Sequence, residues 1–187
     1  LNLDAVERAL DVLFETLSPR RVTVSTSGFP EGIRRLGARA KPPNLAVSIN
    51  ASDEKTRAAI MPVTNAHPLA DVVAAMREFP LPRRRRITAE YVLLAGVNDS
   101  RADAARLARL LRGIPVKINL IPFNPDPSHV PEFRPPEEAA VAAFAEELAG
   151  RGYTATVRRS KGPDASAACG QLKGRDRDPR KRSAPRG

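Results

Sequence analysis

Five short runs of this chain carry two chemistries on alternate residues, and that split limits the folds open to it. One parity is apolar: Val22 and Val24; Leu45, Val47 and Ile49; Ile87, Ala89, Tyr91 and Leu93; Val116, Ile118 and Leu120; Ala155 and Val157. The other is largely polar: Thr23 and Ser25; Ser48 and Asn50; Thr88 and Glu90; Lys117 and Asn119; Thr154, Thr156 and Arg158. A period of two marks strands, because successive side chains stand on opposite faces of a sheet. Helical patterns separate the runs, over 3–17, 32–39, 69–79, 100–112 and 137–150, with a short helix starting near Ser52-Asp53-Glu54-Lys55. Such alternation implies parallel strands joined by right-handed crossovers. A flat parallel sheet covered by helices on both faces would be apolar on both parities. The pattern therefore predicts an α/β fold, a partial barrel of parallel strands with outer helices and a polar inner face. The competing reading is a single-layered sheet with one wet face.

In barrels of this kind the reacting groups collect at the carboxyl ends of the strands. Polar residues fall there repeatedly: Ser25-Thr26-Ser27-Gly28, Ser48-Ile49-Asn50, Asn98-Asp99 and Phe123-Asn124-Pro125, with Cys169 after the last strand. Each has a plain structural alternative. The first can be a helix cap with a turn, Asn124 can be a turn residue, and Glu90 with Lys117 can be an internal ion pair. His67 and His129 have no partner at ligand spacing, so neither is read as catalytic, and no Cys/His constellation suggests zinc. Neither the P-loop nor the dinucleotide-binding glycine pattern occurs.

Cys169 is the chain's single cysteine. It is either an inert small side chain or a reactive one. Small flanking residues, with Arg158, Arg159 and Lys161 upstream, favour an accessible thiol with an enlarged thiolate fraction.

The formal net charge is +10 over 187 residues, which suits a polyanionic partner such as nucleic acid. Residues 173–187 hold seven Lys/Arg and two Asp, and Arg83 to Arg86 form a second block. A solubility role for the basic tail is the alternative. Aromatic residues make up only 4%, without Trp, so phosphate contact is better supported than base stacking. We expect 1–172 to form the folded unit and 173–187 to be a basic, disordered tail. Apolar runs are too short to span a membrane, no signal peptide is visible, and one cysteine fits a reducing compartment. These features predict a cytoplasmic protein.

Taken together, the motifs resemble one family. Val22-Thr23-Val24-Ser25-Thr26-Ser27-Gly28, Leu45-Ala46-Val47-Ser48-Ile49-Asn50-Ala51, Gly96-Val97-Asn98-Asp99, Lys117-Ile118-Asn119-Leu120-Ile121-Pro122-Phe123-Asn124-Pro125 and Ala167-Ala168-Cys169-Gly170-Gln171-Leu172 are similar to those of radical S-adenosylmethionine RNA methyltransferases that methylate an adenine ring carbon. The match is best to members acting at carbon 2 of an adenine in 23S rRNA and, in some cases, tRNA. The resemblance implies that Ser25, Ser48, Ile49, Asn50 and Asn124 bind S-adenosylmethionine and that Cys169 accepts a methyl group from it. A radical generated at a [4Fe-4S] cluster would then activate that methyl for addition to adenine, and a second cysteine would release the product through a disulfide. It further implies rRNA, and possibly tRNA, as partners, an electron-donor protein, and a monomer.

The family carries three cluster cysteines, the releasing cysteine, a Gly-Glu pair and a carboxylate base ahead of these motifs, and this chain has none of them in that place. Asn50 stands where the family more often has His. The resemblance therefore makes the chain a carboxyl-terminal part, first strands missing, that cannot hold the cluster. The alternatives are the sibling activity at carbon 8, a non-catalytic RNA-binding remnant, and an unrelated barrel enzyme.

Overall fold

A computed structural model of the chain describes residues 2–125 and 133–159. The element order is α1 (Leu3–Thr16), β1 (Thr23–Thr26), α2 (Pro30–Gly37), β2 (Asn44–Ser48), α3 (Glu54–Ile60), α4 (Leu69–Glu78), β3 (Ile87–Leu93), α5 (Arg101–Leu110), β4 (Val116–Pro122), α6 (Glu138–Gly150) and β5 (Thr154–Val157). Short 3-10 turns precede β1 and α4. All four strand pairs are parallel and the sheet order follows the chain, β1-β2-β3-β4-β5. This is the α/β part-barrel that the parity pattern predicts.

One face of the sheet makes the core. Leu45, Val47, Ile87, Ala89, Tyr91, Leu93, Val116, Ile118 and Leu120 are buried with Ile33, Leu36, Val72, Met76, Leu107, Phe144 and Leu148 of the helices. The other face is open. Along β3 burial alternates strictly, with Thr88, Glu90 and Val92 only half-buried, and β4 leaves Lys117 exposed. The register lines this face with two cross-sheet rows: Ser25, Ala46, Thr88, Lys117 and Thr154, and, one step nearer the carboxyl ends, Ser48, Glu90, Asn119 and Thr156. Lys117 thus stands beside Thr88, a row away from Glu90. That diagonal is about 8 Å on standard strand spacings, and no ion pair joins the two.

Local chemistry sets the ends of the elements. α2 starts at Pro30, two residues before the glycine where periodicity places it, because proline suits the first helical turn. Within Ser52-Asp53-Glu54-Lys55, Asp53 caps α3 by accepting from Thr56 N, and the buried Ser52 hydroxyl donates to Asp103. Ser100 and Asp103 form a capping box at α5. Of the apolar stripe on α1, Leu3, Val6, Leu10 and Phe14 pack on the core, while Leu13 and Leu17 remain exposed. Among the described residues no helix is long and apolar enough to cross a membrane.

Candidate functional site at the carboxyl ends of the strands

The segment Ser25-Thr26-Ser27-Gly28 divides its labour residue by residue. Ser25 ends up exposed on the open face, its hydroxyl without a hydrogen bond to the described chain. Thr26 turns its hydroxyl to accept from Gly28 N at 3.2 Å, which bends the chain off β1. The Ser27 carbonyl points at a buried guanidinium, that of Arg57, 2.7 Å away. Gly28 adopts φ +96°, and a Cβ there would lie 2.8 Å from Arg57 Nη2 and 3.1 Å from Val72. Only glycine tolerates both the backbone angle and the crowding.

Arg57 is fully buried, and every N–H of its guanidinium finds an acceptor. Nε donates to the Ile49 carbonyl (3.1 Å), Nη1 to Thr64 Oγ1 (2.8 Å) and the His67 carbonyl (3.4 Å), and Nη2 to the carbonyls of Ser27 (2.7 Å) and Ser48 (3.4 Å). Burial pulls its pKa below the ordinary guanidinium value, against the opposing field of Glu54. The Glu54 carboxylate itself accepts from Leu69 N at 2.7 Å, at the start of α4. Arg57 is not among the residues that sequence reasoning brings forward. A signal was present, since Arg57, Ile60, Met61 and Thr64 share one stripe at helical spacing, and a charge in an apolar stripe asks for buried acceptors.

At the end of β2 the predicted site residues play different parts. Ser48 keeps its hydroxyl half-exposed beside Glu90. The Ile49 side chain is fully buried, its N–H donates to the Glu90 carbonyl and its own carbonyl accepts from Arg57. Ile49 therefore shapes the rim from within the core. Asn50 adopts φ +58°, a conformation asparagine tolerates better than most residues. Its Oδ1 accepts from Val92 N (3.0 Å) and its Nδ2 donates to Met61 Sδ (3.1 Å), so its amide completes the strand ladder rather than projecting freely.

Asn98, read from sequence as a rim residue, is instead fully buried. Its Nδ2 donates to the carbonyls of Asn50 (2.7 Å) and Val92 (2.8 Å), its Oδ1 accepts from Leu94 N (2.7 Å), and its backbone carbonyl accepts from Tyr91 Oη (2.9 Å). It holds the β3 turn together, and Asp99 closes the same turn by accepting from Gly96 N. Asn124 lies two residues past β4, half-buried at the same end of the sheet. Ser25 and Ser48 thus lie near the carboxyl ends of neighbouring strands on the open face, and Asn124 follows the carboxyl end of β4, five residues beyond the row of Ser48, Glu90 and Asn119. Cys169, His129 and the tail 173–187 lie outside the described residues. Among the described residues no His, Cys, Asp and Glu groups are placed to hold a metal.

Comparison with known proteins bears on this geometry. No family model matches the chain. The dual-specificity RNA methyltransferase RlmN of Sorangium cellulosum is 53% identical over 176 residues, 91% of this chain and 45% of that protein. RlmN of Syntrophobacter fumaroxidans is 50% identical over 91% of this chain and 50% of its own length. A crystal structure of a radical SAM methyltransferase from Sphaerobacter thermophilus superposes with a TM-score of 0.85 at 43% identity, over 92% of this chain and 51% of that one. A domain of pyruvate-formate lyase-activating enzyme from Bacteroides vulgatus shares the fold alone, with a TM-score of 0.61 at 18% identity, over 83% of this chain and 92% of that one. The chain spans about half the length of the curated relatives it matches. With its open polar sheet face, the chain is similar in sequence to dual-specificity RNA methyltransferases and in fold to a radical SAM methyltransferase, over about half the length of each.

Proposed function

We propose that the full protein is a radical S-adenosylmethionine methyltransferase that modifies carbon 2 of an adenine in 23S rRNA, and in tRNA, and that this chain is its carboxyl-terminal part. The observation that carries the reading is about 50% identity to RNA methyltransferases across 91% or more of the chain, on a scaffold whose open face is hydroxyl-lined at the strand ends.

The donor set suits S-adenosylmethionine. Ser25 and Ser48 offer hydroxyls, and Asn124 an amide, to a ligand with an ammonium, a carboxylate, ribose hydroxyls and an adenine edge. Ile49 and Asn50 contribute by fixing the strand end that presents Ser48. An iron–sulfur cluster does not fit this chain, because cluster irons are held by several cysteine thiolates and the chain has one cysteine. Any cluster ligands therefore belong to another part of the full protein. Bound together, cofactor and cluster supply the methyl group and the radical chemistry. Cys169 is the chain's candidate for carrying the methyl group in transit, and positive charge brought near it, for which Arg158, Arg159 and Lys161 upstream are candidates, would favour its thiolate. The basic tail and Arg83 to Arg86 supply phosphate contacts for RNA. The protein so described is cytoplasmic and monomeric and takes electrons from a donor protein.

The test is Cys169→Ala in the complete protein, with mass spectrometry of adenines from rRNA and tRNA. Loss of 2-methyladenine with the fold retained is the expected outcome. Normal methylation by the variant overturns the role of Cys169, and 8-methyladenine as the wild-type product shifts the assignment to the sibling activity.

A further inference from the structure

The ladder between β1 and β2 stops short of the site. The last paired residues are Thr26 and Val47, and the next two, Ser27 and Ser48, have no backbone hydrogen bond to each other. Arg57 Nη2 occupies that gap and donates to both of their carbonyls, while Nε takes the following carbonyl, Ile49. We propose that Arg57 is a positioning residue for the S-adenosylmethionine site: its guanidinium continues the β1–β2 ladder from behind the rim and fixes the spacing at which Ser25 and Ser48 meet one ligand. This rests on the functional reading given above.

Three features support the assignment. First, the guanidinium is a rigid planar fork, so three carbonyls from two strand ends bound to one such group cannot slide past one another; a flexible ammonium would not impose this. Second, Arg57 is fully buried without a carboxylate within ion-pairing distance among the described residues. A buried charge without a counter-ion costs more than an apolar filler of the same volume, so core stability alone does not favour arginine here. Third, Gly28 gives up a side chain to admit the group, with Arg57 Nη2 only 2.8 Å from where its Cβ would sit. On the other side of β2 the amides of Asn50 and Asn98 extend the ladder to β3 in the same manner. The strand carrying Ser48 is thus pinned from both sides beyond its last regular pair. The hydroxyls of Ser25 and Ser48, free of hydrogen bonds to the described chain, are left for a ligand.

The experiment uses the complete protein and compares Arg57→Lys, Arg57→Met and Thr64→Val, the last removing one acceptor of the Arg57 fork. Leu107→Ala, on the buried face of α5, serves as a change that lowers stability without touching the Arg57 fork. Direct S-adenosylmethionine binding, KM for S-adenosylmethionine, KM for RNA and kcat are measured well below each melting midpoint. The expected result is an S-adenosylmethionine KM raised about ten-fold in Arg57→Lys, with a smaller rise in Thr64→Val and an unchanged RNA KM. Leu107→Ala should melt earlier and keep the wild-type KM. The proposal is overturned if Arg57→Lys behaves like Leu107→Ala, melting earlier with its S-adenosylmethionine KM unmoved. Should neither Arg57 variant fold, Thr64→Val decides by the same criterion. Failure of the wild-type protein to bind S-adenosylmethionine would instead sink the functional reading itself.

Discussion

Gly28 and Arg57 specify each other. The glycine turns the chain at a positive φ and leaves the volume that the guanidinium fills. Gly28→Ala should therefore combine a strained backbone with a 2.8 Å clash and destabilise the protein by about 1–3 kcal/mol. Urea denaturation of the complete protein measures this, and a change within about 0.5 kcal/mol, the usual range for a neutral surface site, would show that the turn relaxes freely. From the sequence, the four residues 25–28 read as one polar cluster; in the fold Thr26 spends its hydroxyl on the turn and Gly28 makes it, while Ser25 and Ser27 stay exposed. The rest was hidden because the partner that assigns their roles, Arg57, stands 29 positions beyond Gly28 and is one of 31 Lys/Arg. Asn50 and Asn98 were hidden differently. An amide that binds a ligand and an amide that finishes a ladder have the same composition, and only the register tells them apart.

β3 shows what periodicity carries at the level of elements. Its alternation of buried and half-buried residues follows the apolar and polar parities residue by residue, because a strand's faces are fixed by its period of two. The ends of elements were less legible. The run 45–50 reads as continuous strand, yet β2 stops at Ser48 because Asn50 turns to φ +58°. Tyr91, at the middle of β3, supplies a pH signature. It is fully buried against Phe144, and its phenol donates to the Asn98 carbonyl. Burial pushes its pKa far above the ordinary phenol value, with the field of Asp103 adding to the rise. The folded state thus holds this proton more tightly than the unfolded chain does. Its contribution is complete below the ordinary phenol pKa of about 10 and is lost as pH climbs above it. Between about pH 8 and 11, a window that brackets that value, wild-type stability should fall more steeply than that of Tyr91→Phe. Parallel curves from denaturant titrations at both ends of the window would refute this.

Across the whole molecule, positive charge is the least evenly spread property, since seven Lys/Arg and two Asp of the last fifteen residues supply half of the net +10. If the partner is RNA, removing 173–187 from the complete protein should flatten the dependence of affinity on salt by about 0.7 in log–log slope for each phosphate that the tail neutralises. Filter binding across a salt series reads that slope, and an unchanged value would assign the tail another task. The fold class was legible at this scale because the contrast between parities survives in five separate strands. The same contrast has an evolutionary consequence. Side chains such as Thr88, Asn119 and Thr156 add little to the core, so the lining of the open face can be exchanged while the helix-covered side keeps the protein folded. A sheet built this way lets selection rewrite what is bound without renegotiating how the chain folds.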